Sequence, residues 1–159
     1  MKKMKIYLNT NVMLDFFINQ AKASRNKIKP KMPTKLKFFI DNSSQFIFIT
    51  SVITKAEIAR ELAAGYGVSE EKIERLWTEF TELLNCKFIE RVEIGPDFAI
   101  FPAKIKLKLR TLMNFQHLFA AMENDAYLLS GDKDLIKISR ENKIYSKVMS
   151  YIELREKIS

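Results

Sequence analysis

The chain has 159 residues, of which 47% are hydrophobic and 11% aromatic, which fits one domain spanning residues 1–159 with a single packed core. Its 27 lysines and arginines outnumber its 19 aspartates and glutamates, and the formal net charge of +8 favours phosphate-rich partners. The single cysteine, Cys86, excludes an intramolecular disulfide and a cysteine-based zinc site. No apolar run approaches the roughly 18 residues that a membrane-spanning helix requires, so we expect a cytoplasmic protein with no membrane partner.

Two clusters of basic residues concentrate the positive charge. No acidic residue lies between Asp15 and Asp41, and that interval holds the first cluster: Lys22, Arg25, Lys27, Lys29, Lys31, Lys35 and Lys37. The second cluster contains Lys104, Lys106, Lys108 and Arg110. Such charge can simply keep a protein soluble, but it also neutralises nucleic-acid phosphates. We therefore take as candidate RNA-binding residues Lys27, Lys29, Lys31, Lys104 and Lys108.

The first third of the chain predicts a strand and two helices. Residues 4–8 are apolar enough for a short strand, and the polar turn Asn9-Thr10-Asn11 can cap a helix running from Val12 to Ile18. The basic segment that follows contains Pro30 and Pro33, which predicts an exposed loop, with a helix resuming near Thr34.

The middle of the chain alternates again between strand and helix. Residues 46–49 form an apolar run typical of a strand covered on both faces. Thr50 or Ser51 caps a helix that reaches about Ala64 and ends at Gly65-Tyr66-Gly67. Ser69 opens the next helix, and residues 87–92 suggest a third strand. We expect the apolar stripe of that helix to comprise Ile73, Leu76, Phe80 and Leu83.

The last third contains one ambiguous segment. Residues 98–112 alternate with period two around a run of lysines, which favours a strand, although their flanks also allow a helix. Beyond them the pattern predicts a helix over 114–124, a strand over 126–129, a helix over 132–139, a strand over 147–149 and a terminal helix over 151–157.

Strands that alternate with helices imply parallel strands joined by crossover helices. The expected fold class is therefore α/β: a three-layer α/β/α sandwich with a parallel, five-stranded sheet. In open sheets of this class, sites form outside the carboxyl ends of the strands. That rule selects residues 9–11, the segment from Thr50 onward, and residues 130–134.

Each polar residue near those strand ends also has a purely structural explanation. Asp132 and Asp134 suit a helix N-terminus, where carboxylates bind free N–H groups. Glu57 lies seven positions after Thr50, about two helical turns, so it projects toward the strand's exit, but it is also typical of a solvated helix face. Asn9 can be a turn residue and Asn114 a helix cap. We expect His117, three residues after Asn114, to be packed or hydrogen-bonded rather than a metal ligand.

In chain order, these residues form a pattern. The span 6–15 (Ile-Tyr-Leu-Asn-Thr-Asn-Val-Met-Leu-Asp) closely resembles the opening of PIN domains, where a strand ends in Asp-Thr-Asn before an apolar helix. The span 51–58 is similar to the second PIN motif, with Glu57 at its acidic position. The span 114–121 resembles the third motif, usually led by Asp, and the span 128–134 resembles the fourth. The resemblance covers essentially the whole chain.

The resemblance to the PIN-domain family implies a metal-dependent nuclease. In that family, three or four carboxylates from distant segments converge and hold Mg²⁺ or Mn²⁺, and these hard cations prefer oxygen ligands. Carried over residue by residue, the catalytic positions are Asn9, Glu57, Asn114 and Asp132, and Asp134 joins them as a metal ligand. Many small PIN proteins are VapC-like toxin ribonucleases of toxin–antitoxin pairs, which implies RNA as substrate, a homodimer and an antitoxin partner.

This chain departs from the family pattern at Asn9 and Asn114, where Asp is expected. Asparagine keeps the shape of aspartate and one oxygen but loses the negative charge, so we expect weak cation binding and little or no nuclease activity. The exchanges are either engineered or natural. We favour engineering, because both are the same isosteric change. The alternative function is a naturally degenerate, non-catalytic PIN fold that binds RNA or a partner. With only four glycines and no phosphate-binding loop, a nucleotide-binding domain fits poorly.

Overall fold

Five parallel strands form the sheet of the computed structural model, which describes residues 2–93, 99, 103 and 109–159, residues 109–112 through their backbone alone. The strands are β1 (Met4–Leu8), β2 (Phe46–Ser51), β3 (Lys87–Ile89), β4 (Tyr127–Leu129) and β5 (Val148–Met149). Their order is β3-β2-β1-β4-β5, with every pair parallel. The predicted five-stranded parallel sheet is confirmed.

Helices connect these strands in the alternation that the sequence predicts. Within the described residues they are α1 (Thr10–Asn26), α2 (Thr34–Asp41), α3 (Val52–Tyr66), α4 (Glu70–Leu83), α5 (Leu109–Glu123), α6 (Lys133–Glu141) and α7 (Tyr151–Ile158), with a 3₁₀ turn at Ser43–Gln45. Ser51 and Ser69 accept hydrogen bonds from the first turns of α3 and α4, as expected of N-caps. Gly67 ends α3 at φ 63°, a left-handed conformation that favours glycine.

The core lies on both faces of the sheet. On one face, α1 to α4 and α7 pack large aromatics together, among them Phe17, Phe80 and Trp77. On the other face, α5 and α6 pack against Tyr7 and Ile49 of the sheet. Helices therefore cover the sheet from both sides, and the chain is the three-layer α/β/α sandwich predicted from the sequence.

Several predicted boundaries are wrong. Helix α1 continues through the first basic residues to Asn26, because Ala21 packs into the core and Ala23 is also buried. It ends where Lys27 adopts φ 54°. Ile47 is 37% exposed, so β2 is not covered on both faces at its start. Leu83, expected in the apolar stripe of α4, is 47% exposed and does not belong to that stripe. Trp77 is buried in that stripe instead.

The third strand is short and the ambiguous segment is only partly described. β3 spans Lys87–Ile89, rather than the whole of residues 87–92. From Leu109 onward the segment 98–112 is helical, whereas Phe98, residues 100–102 and residues 104–108 lie outside the described residues. The candidate RNA-binding residues Lys104 and Lys108 therefore lie outside them too. No helix in the described ranges is long and apolar enough to cross a membrane.

Candidate functional site

A cleft of about 610 Å³ opens at the carboxyl edge of the sheet. Asn9 from the end of β1, Glu57 from α3 and Asn114 from α5 all line it. Asp132, at the start of α6, joins them because its Oδ2 accepts a hydrogen bond of 2.6 Å from Asn114 Nδ2. The four predicted catalytic positions thus gather at one place, where the ends of parallel strands meet.

Asn9 is held in place by both ends of its amide group. Its Oδ1 accepts the Thr10 N–H at 2.7 Å and caps α1, while its Nδ2 donates to Ser130 Oγ at 3.1 Å. Ser130 Oγ also accepts the backbone N–H of Asp132 at 3.0 Å. Asn9 is only 1% exposed. Its amide therefore joins β1 to the loop between β4 and α6.

The same loop is fixed by a second asparagine. Asn11 Oδ1 accepts the Gly131 N–H at 2.9 Å, and Asn11 also lines the cleft. The side chains of Asn9 and Asn11, at the start of α1, therefore hold the turn that carries Asp132.

Glu57 ends a buried chain of hydrogen bonds. Thr10 Oγ1 donates to Glu57 Oε1 at 3.0 Å, and His117 Nε2 contacts the same oxygen. If Glu57 is ionised it only accepts, so His117 Nε2 carries the proton. In the neutral imidazole, Nδ1 then accepts from the Tyr7 hydroxyl 2.7 Å away, and that hydroxyl accepts from Ser51 Oγ, also at 2.7 Å. Burial raises the pKa of Tyr7 to about 12, which keeps this hydroxyl protonated.

Asp132 combines the two roles that its position in the sequence suggested. Its Oδ1 caps α6 by accepting the N–H groups of Asp134 and Leu135, at 3.0 and 3.1 Å. Its Oδ2 faces Asn114. Asp134 is exposed in the first turn of α6 and does not line the cleft.

The residues present do not fit a Mg²⁺ or Mn²⁺ ion. Among the described residues, no three His, Cys, Asp or Glu side chains are grouped so that they could hold a metal. The two carboxylates are already engaged, since Thr10 and His117 bind Glu57, and an amide N–H occupies Asp132 Oδ2. Hard cations need free, preferably charged oxygens at such a site.

Sequence reasoning identified the cleft but missed part of its lining. Arg60 and Glu61 follow Glu57 by three and four positions on α3 and also line the cleft. Arg60 is exposed and makes no salt bridge within the described ranges. The i, i+3 and i, i+4 spacing from Glu57 was the available signal. His117 is buried and hydrogen-bonded, as predicted.

The predicted basic residues of the first cluster lie away from this cleft. Lys27, Lys29 and Lys31 are exposed in the connection between α1 and α2, and none of them lines it.

Among solved structures, the chain is similar to a chain of VapBC2 from Rickettsia felis, in a crystal structure of VapBC2 bound to a DNA fragment from their promoter. The match has a TM-score of 0.54 and 14% sequence identity, and it covers 92% of this chain and 98% of that chain. This chain has a PIN-like fold. At 14% identity, this similarity establishes the fold and nothing about activity. No family model matches the chain, and no curated protein matches it either.

Proposed function

We propose that the chain is a PIN-type endoribonuclease scaffold whose cation-dependent cleavage is suppressed by Asn9 and Asn114. One observation carries this proposal: Asn9, Glu57 and Asn114 line a single cleft, and Asp132 is hydrogen-bonded to Asn114. With aspartate at positions 9 and 114, the cleft would offer four carboxylates from four segments of the chain. That donor set suits Mg²⁺ or Mn²⁺, which would supply charge neutralisation at an RNA phosphate.

The two asparagines remove most of the attraction for a cation. A unit charge about 4 Å from a cation contributes roughly 4 kcal/mol at an effective dielectric constant of about 20. Even a third of that at each site, taken twice, amounts to about 2.7 kcal/mol, or roughly a hundredfold in affinity. The amide of Asn114 also donates a proton toward Asp132, where a ligand oxygen should accept.

Restoring both aspartates tests the proposal. The double variant Asn9→Asp, Asn114→Asp should cleave RNA when Mn²⁺ or Mg²⁺ is added, whereas the parent chain should not. Adding Glu57→Gln to the double variant should abolish the cleavage and exclude a contaminating nuclease. Two results would reject the proposal: a folded double variant that remains inactive with both cations, or cleavage that survives Glu57→Gln.

The further parts of the proposal concern partners and location. The net charge of +8 supports RNA as the ligand. The likeness to a chain of the VapBC2 structure supports a toxin of a toxin–antitoxin pair, with an antitoxin protein as partner. We further propose a homodimer in the cytoplasm. Light scattering across a dilution series measures the oligomeric state, and a mass of one chain at micromolar concentration would contradict the homodimer.

A second function, a non-catalytic PIN-fold module that binds RNA or a partner, is favoured by one observation. The carboxylates of Glu57 and Asp132 are both hydrogen-bonded to neighbouring side chains, so the cleft needs no cation to balance them. The RNA-binding form of this function predicts salt-sensitive RNA affinity that survives removal of Glu57 and Asp132. Loss of binding on removal of those acids, with no effect from removal of Lys27, Lys29 and Lys31, would reject it.

A further inference from the structure

A further group of lysines, separate from the two basic clusters, lies at the amino edge of the sheet, opposite the cleft. Tyr127 begins β4, and two ammonium groups lie against its ring. Lys147 Nζ is 5.5 Å from the ring centroid and Lys157 Nζ is 5.3 Å from it. Both distances fall within the range of cation–π attraction, so the ring attracts both positive charges.

Two more lysines lie at the same edge of the sheet as the neighbouring acid, Asp125, because Lys5 directly precedes Ile6, which pairs with Tyr127, and Lys2 lies three positions earlier. The hydrogen bond that Lys147 donates at 2.7 Å is the largest cause of a lowered pKa of the Asp125 carboxyl, and the charges of Lys5 and Lys2 lower that pKa further. Lys2 and Lys5 are exposed, and they make no salt bridge with any described residue. Lys157 makes none there either. We define the Tyr127 patch as the ring, the two lysines against it, the neighbouring acid and the two further lysines whose charges act on that acid: Tyr127, Lys147, Lys157, Asp125, Lys2 and Lys5.

We propose that the Tyr127 patch binds the phosphate backbone of single-stranded RNA, as a second binding surface separate from the cleft. Three of its four ammonium groups have no carboxylate partner in the described part of the chain, so each can neutralise a phosphate and release a counterion. The choice of RNA as the ligand rests on the proposed function. Because β1 spans Met4–Leu8 and rises about 3.3 Å per residue, the patch and the cleft lie roughly 15 Å apart. An RNA of several nucleotides is therefore needed to reach both.

Binding of a fluorescent single-stranded RNA, measured by anisotropy at several salt concentrations, tests the patch in the parent chain. In the parent chain, log affinity should fall linearly with log salt concentration. The slope of that line should become shallower by about 0.7 for each phosphate that is no longer neutralised in the quadruple variant Lys2→Gln, Lys5→Gln, Lys147→Gln, Lys157→Gln. Near 0.1 M salt that corresponds to roughly a fivefold decrease in affinity for each such phosphate.

Two further variants separate the patch from general charge and from misfolding. The control removes four basic side chains outside both basic clusters and outside the patch, on α4, β3 and α6, and should leave the salt dependence nearly unchanged: Lys72→Gln, Arg75→Gln, Lys87→Gln and Lys137→Gln. Asp125→Asn removes the only acid of the patch and should raise RNA affinity, an outcome that loss of structure cannot produce. The single change Lys157→Gln, on an exposed side chain, should lower affinity severalfold in a folded protein.

Several results would overturn the inference. Equal losses of affinity in the patch and control variants would mean that only net charge matters, and unchanged affinity in Asp125→Asn would mean that RNA does not approach the patch. A poly-glutamate peptide that competes as well as RNA of equal length would make the patch a site for an acidic protein. The binding experiment measures no cleavage, so a negative result for the patch does not affect the cleavage test at positions 9 and 114. An inactive Asn9→Asp, Asn114→Asp variant likewise leaves the measured RNA binding of the patch unchanged.

Discussion

Replacing Asn114 with aspartate probes the hydrogen bond that joins Asn114 to Asp132 in the candidate site. In the parent chain, Asn114 Nδ2 donates to Asp132 Oδ2 across 2.6 Å. A carboxylate at position 114 has no proton to donate, so the hydrogen bond is lost and two like charges face each other. Unless a cation or a proton enters, one side chain must rotate away or the fold must bear the repulsion.

The size of the effect follows from two contributions. A hydrogen bond to a charged group contributes about 1.5–3 kcal/mol to stability. Two like charges about 4 Å apart repel by roughly 4 kcal/mol at an effective dielectric constant of about 20. Both side chains are half-buried, so rotation and solvent reduce the sum. We expect Asn114→Asp to lower the free energy of unfolding by about 2–4 kcal/mol at neutral pH without divalent cations.

Urea unfolding of three proteins measures this: the parent, Asn114→Asp and the control Asn114→Ala. The alanine variant loses the hydrogen bond without gaining a charge and should lose only about 1–2 kcal/mol. Mn²⁺ at about a hundred times its dissociation constant should return roughly 2.7 kcal/mol to Asn114→Asp and nothing to Asn114→Ala. Acidification to about pH 5 or below should also favour the aspartate variant, as one carboxyl of the pair takes up a proton. An aspartate variant as stable as the parent in EDTA at neutral pH would refute the reasoning.

Four further predictions concern the core and the caps. Burial raises the pKa of the Cys86 thiol to about 12, so iodoacetamide near pH 9 should alkylate it about 100- to 1,000-fold more slowly in the folded protein than in urea. The stability linked to this thiol is present below its unfolded-state pKa of about 9 and is lost as pH rises toward 12, which unfolding measured along that range would detect. Phe17→Ala, at a fully buried ring, should cost about 3–5 kcal/mol in urea unfolding, against about 1 or less for Phe88→Ala, whose ring is 39% exposed. Ser51→Ala removes a helix cap and the buried hydrogen bond to Tyr7, so it should lower the free energy of unfolding by about 2 kcal/mol. The control Ser69→Ala removes only an exposed cap and should cost about 1 kcal/mol. Equal costs for the two variants would contradict the buried chain of hydrogen bonds through Ser51 and Tyr7.

Local signals in the sequence were sufficient to predict the fold, because they agree with one another. The apolar strand 46–49, the cap at Ser51 and the left-handed Gly67 each specify a boundary within a few residues. The end of α1 was missed, since the polar and basic residues after Ile18 resemble a loop. What extends the helix is the packing of Ala21 into a core built from distant elements, which a local pattern does not contain.

The site was predicted from general rules of α/β sheets together with the resemblance to the PIN motifs, which made Asn114 a site residue. The rule that sites lie at carboxyl ends of strands selected Asn9 and Asp132, and helical spacing selected Glu57. The hydrogen-bond partners were not predictable, because Tyr7 and His117 lie 110 positions apart and nothing local relates them. The roles of Lys104 and Lys108 stay predictions.

Titration calorimetry with Mn²⁺ tests the central claim most directly. That claim is that Asn9 and Asn114, in place of aspartates, prevent the cleft from binding a divalent cation. The parent chain should show no binding at millimolar Mn²⁺. The variant Asn9→Asp, Asn114→Asp should bind at least about a hundredfold more tightly, and the further change Asp132→Asn should remove that binding. Parent and double variant binding Mn²⁺ with equal affinity would contradict the account.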